Sequence, residues 1–331
     1  MKKQLILMFS ILILLLPLSM KSITHIPFQK SNNKEINGFS FENSKDDLLL
    51  ESVEPIEIFS NEDLEEFSSS GEGTRERPFV IEGFRIEAYW MNPAIEIRFT
   101  TAHFIIRNCF IITDSVGILM VEVSPSTSQI VNNTILSRLE TGIAIELNTI
   151  HNCSINQNFC VRFHYGIKLT YGTFCTIRNN TILYSDQHGI QLSHSRYNSI
   201  TFNQLENSSQ YGLVLIGESN YNKIYQNFFI NNGQLDEYEL NRTNTGEIRS
   251  QAYDECAFNT WFDADSRRGN YWSDFSGKSH YRIDGAANSV DEYPSSLGVN
   301  SASFNPLSVI LMSIFVGYYF IISKKQKKKS S

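Results

Sequence analysis

Six residues carry most of the chemistry that this chain offers a ligand: Tyr165, His188 and Tyr211, each directly before a glycine, Lys168 just beyond the first of them, and Trp261 and Trp272 further on. Aromatic rings combine flat apolar faces with polar tips, which suits them to the alternating CH and OH surface of a sugar. The same rings stacked on one another serve structure alone. Lys168 with Glu146 and Asp186 is the nearest set to the base and cation-binding carboxylates of a polysaccharide lyase. A hydrolase instead needs two carboxyl groups roughly 5 to 9.5 Å apart. Copper calls for imidazole or soft sulfur donors, and between Ser22 and Asn305 the only methionines are Met91 and Met120. Which of these residues meet depends on the backbone that holds them.

That backbone repeats. Glycine followed by Ile or Leu recurs at Gly117, Gly142, Gly166, Gly189 and Gly212, and Ala94-Ile95 begins the pattern, with steps of 23, 25, 24, 23 and 23 residues. A second phrase, Ile-x-x-Asn-x-apolar, places Asn108, Asn133, Asn158, Asn180, Asn203 and Asn227 once in each unit. A period in the twenties means a solenoid of stacked coils. The units are short Ile-rich alternations punctuated by Gly and Asn, without a leucine-rich frame or helical periodicity, so they read as strands joined by turns. The chain is therefore expected to be all-β, a parallel β-helix. Asn tolerates a left-handed turn, and stacked amides hydrogen-bond from coil to coil, so the Asn column is expected to be structural.

Alternate strand residues share a face, so positions one and three after each glycine point inward. The outward positions at two are Glu96, Leu119, Ala144, Lys168, Gln191 and Val214, and at four Arg98, Val121, Glu146, Thr170, Ser193 and Ile216. Two acids in different columns, two coils and roughly 12 Å apart by strand geometry, make a poor hydrolase. The expectation leans away from an enzyme. Tyr165, His188 and Tyr211 form a column of their own that either presents rings to a sugar or stacks internally. His103 and His151 share an offset but lie two coils apart, and His164 and His188 are on adjacent coils without an evident third ligand.

Both ends of the chain differ from the repeats. Residues 1–22, two lysines and then an apolar run, have the layout of a signal peptide. Residues 23–54 are polar and aperiodic, and read as linker. Ile56-Glu-Ile58 and the Ser60-x-x-Asp63 phrase before Leu64 predict a strand and a short capped helix, a cover for the open end of the solenoid. Residues 55–296 form the β-helix with its caps and 297–304 a stem. Residues 305–322 are just long and apolar enough to span a bilayer, and the lysine-rich 323–331 stays inside. This predicts a single-pass type I protein of the cell membrane, its β-helix extracellular or periplasmic.

Several phrases resemble those of the NosD-type right-handed β-helix family. They are Gly71-x-Gly-Thr74 to Pro78-Phe-Val-Ile-Glu-Gly83, the Gly-Ile and Asn coils, Gly269-Asn-Tyr-Trp-Ser-Asp-Phe275, Tyr281-Arg-Ile-Asp-Gly285 and Val290-Asp-Glu-Tyr-Pro294. The resemblance covers about residues 55 to 296. It implies coils of a carbohydrate-binding and sugar-hydrolase type, and copper handling. Relatives often carry an Asp-rich, calcium-loop-like insertion after Gly-Asn-Tyr-Trp; only Gly277-Lys-Ser-His280 stands here, so neither calcium nor copper is supported by ligand spacing. The aromatics of the closing phrases, Trp261 and Trp272 included, either plug the top of the helix or offer a sugar platform.

The net charge of −7 hides a segregation: without the five tail lysines and the three before Ser22, 20 basic residues face 35 acidic ones, about −15. Nucleic acid is an unsuitable partner for such a surface. Five cysteines exclude a fully paired framework. Cys153 and Cys175 fall on neighbouring coils, where they either pair or fill space. Glycosylation acceptors stand at Asn132, Asn152, Asn179, Asn207 and Asn241, and occupancy is expected to favour Asn207 and Asn241, in looser stretches. The resulting expectation is a membrane-anchored surface scaffold or glycan-binding module whose partner is a polysaccharide or surface glycoprotein. A polysaccharide lyase or hydrolase and a NosD-like copper-handling accessory protein are the alternatives.

Overall fold

Strands of three to six residues are too short to stand alone, and here each is held by its equivalent in the coils before and after it. The structure, a computed structural model, describes residues 50–89, 91–233, 249–277 and 279–295. The expected signal peptide, most of the linker, the stem, the membrane helix, the tail and Asn241 lie outside the described residues. Among the described residues no helix is long and apolar enough to cross a membrane.

Three parallel sheets form the faces of a solenoid. The first face has eight strands, from Ile56–Ile58 through Val116–Val121, Ile143–Asn148, Tyr165–Thr170, His188–Ser193 and Tyr211–Ile216 to Ala252–Asp254. The second face has seven, from Phe79–Glu82 to Lys223–Tyr225, and the third nine, from Glu51–Val53 to Tyr271–Trp272. Each full coil visits the faces in that order. The first strand of the third face pairs with Phe84–Ala88, so the solenoid begins inside the segment expected to be linker.

Two inward columns of the first face form the spine of the core. One runs Ile95, Ile118, Ile145, Ile167, Ile190, Leu213 and the other Ile97, Met120, Leu147, Leu169, Leu192, Leu215, all of them buried. The register differs from expectation in one coil. Ile145, not Ile143, lies opposite Ile118, so Ala144 rather than Gly142 is the equivalent of Gly117. The physical reason separates two kinds of glycine. Gly117, Gly166 and Gly189 sit in strands where an added Cβ would meet the carbonyl oxygen of the next coil at 2.5 to 2.6 Å. Gly142 is a turn residue with φ +75°, closing a longer turn that Asp114 organises: its Oδ1 accepts from Ser137 Oγ and the Arg138 and Leu139 N–H groups at 3.0, 2.7 and 2.9 Å.

Between the second and third faces runs a buried ladder of Asn133, Asn158, Asn180, Asn203, Asn227 and Asn270. Each Oδ1 after the first accepts both the backbone N–H and the Nδ2 of the Asn one coil earlier, at 2.9 to 3.0 Å. Each Nδ2 also donates to a main-chain carbonyl of the coil below, as Asn158 does to Ile130 at 2.9 Å. Two expectations are corrected here. The left-handed residue is the one before the ladder, Asn132, Gln157, Asn179, Phe202 and Gln226 with φ 54 to 57°, so the ladder Asn is present for its amide rather than for its tolerance of a turn. The ladder position in the first coil is Cys109, whose N–H donates to Asn133 Oδ1 at 3.1 Å; Asn108 is the left-handed residue beside it.

Both ends are closed. At the bottom Ser60 caps the helix Asn61–Glu66, its Oγ accepting from the Asp63 N–H, while Asp63 reaches back to the Phe59 N–H at 2.8 Å and Leu64 is buried. At the top Phe229, Trp272 and Tyr281 stack with centroids 4.2 and 4.0 Å apart. Trp261 and Trp272 are wholly buried and donate their indole N–H groups to Asp254 and Asp291 at 3.0 Å. Neither tryptophan can offer a sugar platform, because no ring face is left to reach; both belong to the lid. All five cysteines are buried free thiols.

Candidate ligand-binding surfaces

Tyr165, His188 and Tyr211 open three successive strands of the first face and pair in register. Their rings follow one another at 5.8 and 5.9 Å, with planes inclined by 63° and 40°, so each half-buried ring covers its neighbour incompletely. His188 Nδ1 is buried with no hydrogen-bond partner. Burial, helped by the positive charge of Arg249, lowers the His188 pKa to about 4, which keeps the imidazole neutral near pH 7. Tyr211 donates to Asp284 Oδ2 at 3.3 Å, Arg249 lies 5.2 Å over its ring, and burial pushes its hydroxyl up to about 12. Lys168 Nζ stands 5.7 Å over the Tyr165 ring and 3.5 Å from Glu146. On the other side of the column are the His164–Asp186 pair at 3.1 Å and the Gln210–Gln187 amide bond at 2.7 Å. The margin of the first face thus joins part-open rings to amides, one neutral imidazole and two cations, Lys168 and Arg249.

The corrected register also changes the acids. Glu146, not Ala144, is outward beside Lys168, in one column with Leu119 and Glu96. Glu57, Glu96 and Glu146 therefore share a column, Glu57 one coil or about 5 Å from Glu96 and Glu146 two coils or about 10 Å from it at strand spacing. Glu96 is matched by Arg98 and Glu146 by Lys168, while Glu57 is exposed.

The metal donors do not converge. Among the described residues no three His, Cys, Asp or Glu side chains come together to hold an ion. Met120 is in the core, Met91 is 90% exposed, and His151 Nδ1 is bonded to Thr173 Oγ1 at 2.7 Å. Burial pushes the Cys109 and Cys175 thiols up to about 11 and that of Cys153 further, away from the thiolate a metal takes. Among the described residues no three such donors stand together for a copper ion.

Asn132, Asn152 and Asn179 are exposed at turns, their amides donating to Asn108, Ser126 and Asn156. Asn207 occupies the same kind of left-handed turn, φ 57°, and is only half exposed. It does not lie in a looser stretch, because Ser208 after it joins a further ladder through Asn232 and Gln251.

Sequence reasoning missed the most exposed aromatic feature. On the turn between the first and second faces Phe174, Tyr197, Tyr221 and Phe258 stack at 5.3, 5.1 and 4.9 Å with planes within 9° of parallel. All four have left-handed backbone, φ 57 to 62°, which turns their side chains out to solvent. Tyr171 and His194, three residues earlier in their coils, stack beside them at 5.0 Å. The signal was legible: each ring directly precedes a residue of another ladder, Cys175, Asn198, Asn222 or Asn259, in which Asn198 Oδ1 accepts from the Cys175 N–H at 2.8 Å and Asn222 Oδ1 from the Asn198 N–H at 2.9 Å.

A family model described as "Periplasmic copper-binding protein (NosD)" matches residues 99–277. No curated protein and no solved structure matches the chain.

Proposed function

Since this chain belongs to the NosD family, whose model covers more than half of it, we propose that it is an exported right-handed β-helix protein that binds glycans along the margin of its first face. The observation that carries this reading is the inclined Tyr165–His188–Tyr211 column, whose incompletely covered rings stand beside Lys168, Arg249 and the Gln187–Gln210 amides. Rings supply apolar contact, and amide and imidazole groups match hydroxyls. Glu96 and Glu146 are tied up in ion pairs with Arg98 and Lys168, which favours binding over cleavage. The sequence at 1–22 and 305–331 supports a type I anchor for this surface, and protease added to intact cells would then release the β-helix and leave the lysine tail protected.

A glycan array probed with the full-length protein tests the binding. Saturable binding that Tyr165→Ala and Tyr211→Ala weaken, with no product released, is the expected result; cleaved product would replace this reading with a polysaccharide lyase or hydrolase. The family's printed description favours a second reading, an accessory role in copper handling. Titration with Cu(I) and Cu(II) separates the two: stoichiometric binding lost in His164→Ala and His188→Ala would favour copper.

A further inference from the structure

The four-ring ladder has two inner rings and two ends. Tyr197 and Tyr221 each carry a stacked ring on both faces, so they offer a ligand only edges and hydroxyl groups. Phe174 and Phe258 each have a ring on one face alone, and they are the more exposed pair, 60% and 69% against 49% and 43%. What lies beyond the two ends differs. The column continues beneath Phe174 as Asn152, whose Nδ2 donates to Ser126 Oγ at 2.6 Å. At Phe258 the column stops, and the ring lines a groove of about 540 Å³ together with Glu255, Thr260, Phe262 and Asn288.

The chemistry of that groove is specific. It is bounded by residues 255–260, Phe262 and residues 286–290, with no lysine or arginine among them and Glu255 as the one charged side chain. Asp254, buried just behind, accepts from Cys256 N–H, Asn259, Trp261 and Ser289, which fixes the wall and adds negative potential. An anionic sugar is repelled there. A neutral pyranose fits: its CH face lies on an open ring face, and its hydroxyls reach carboxylate, amide and hydroxyl groups at the rim.

We propose that the groove at the top of the aromatic ladder is a second binding site, which takes one uncharged sugar ring stacked on the open face of Phe258. The ligand class follows the glycan-binding reading above, but the site is separate from the Tyr165–His188–Tyr211 margin, which lies at the opposite edge of the first face.

The test uses the full-length protein in detergent with cellotriose, mannotriose and xylotriose as neutral probes and trigalacturonate as the anionic one. At least one neutral trisaccharide should bind saturably. Phe258→Ala should weaken that binding about tenfold, the loss of one stacked ring, and Phe258→Trp should retain it. Phe174→Ala and Tyr165→Ala should leave it unchanged. Phe258→Asn, which keeps a residue tolerant of φ 62°, should behave as Phe258→Ala and show that lost stacking is responsible rather than a strained turn. Binding lost in Tyr165→Ala and intact in Phe258→Ala would overturn the groove and leave the first-face reading standing. Tighter binding of trigalacturonate, or no saturable binding of any neutral probe at millimolar concentration, would overturn the groove as well.

Discussion

Two ladders climb the same solenoid, one of asparagines inside and one of aromatic rings outside, and they hold the coils by different physics. In the inner ladder every amide hydrogen-bonds both to its neighbour and to the main chain away from water. Removing one member leaves several buried groups without partners. In the outer ladder each ring rests on the next at solvent-exposed turns, and removing one leaves nothing unsatisfied. A stack of identical groups is therefore evidence of structure only when burial makes its loss costly. The exposed one is free to be used.

The largest effect expected from that contrast is in the inner ladder. Asn158→Leu leaves the buried Asn133 N–H without an acceptor and takes one partner each from Asn133 Nδ2, the Ile130 carbonyl and Asn180 Oδ1, and should cost about 2 to 4 kcal/mol at roughly 1 to 3 kcal/mol for an unsatisfied group, read as a lowered urea midpoint. A loss below that of Tyr197→Gly would break the comparison.

Next in size is the ladder's upper end, where Asn270 donates to the buried Asp291. Burial raises the Asp291 pKa from 3.8 to about 6, although the Asn270, Trp272 and Tyr293 donors oppose it. A group whose pKa is higher folded than unfolded stabilises the fold fully below the unfolded value and loses that contribution as pH rises through the folded one. Stability should thus fall by about 2 to 3 kcal/mol between pH 4 and pH 7 on account of this group. Asp291→Asn should flatten that slope in denaturation curves taken across the range.

A gain is expected at the lower end. Cys109 fills the ladder position with a thiol 3.9 Å from the Ile81 carbonyl, where Asn133 has an amide donating to Ile106 at 3.0 Å. Cys109→Asn should extend the ladder by one rung and stabilise by about 1 kcal/mol, a typical net hydrogen bond, measured as a raised melting temperature. The smallest change belongs to the outer ladder. Tyr197→Gly loses ring contacts but relieves φ 59°, and should shift stability by under about 1 kcal/mol.

The solenoid was legible because two phrases kept one period, and the inward columns followed from strand alternation alone. The misreadings have local causes. At Gly142 a turn glycine imitated the in-strand glycine of other coils, since Gly-Ile looks the same whether glycine is there for φ or for close approach. At Asn108 two neighbouring polar positions compete for the same phrase, and Cys109 does the ladder's work without looking like Asn. Lys168 and Glu146 could be paired only once that coil was in register. The outer ladder escaped because both Phe and Tyr occupy it and because its last step, from Tyr221 to Phe258, is longer than the period. Trp261 and Trp272 could be read as lid or platform because sequence reports a ring but not what covers its faces.

The parallel registers also set the order in which this molecule can assemble. Most strand pairings join residues about one coil apart, so a growing stack can add one coil at a time, each templated by the last. Until residues 250–295 fold over it, the newest coil presents unpaired strand edges at Tyr211–Ile216 and Phe228–Ile230, and the first of these carries Leu213, Val214 and Leu215. Such an edge accepts a strand from any chain. The Trp261, Trp272 and Tyr281 lid is thus a termination signal written in side chains: a chain cut before it keeps its coils but should join others end to end and grow into fibres.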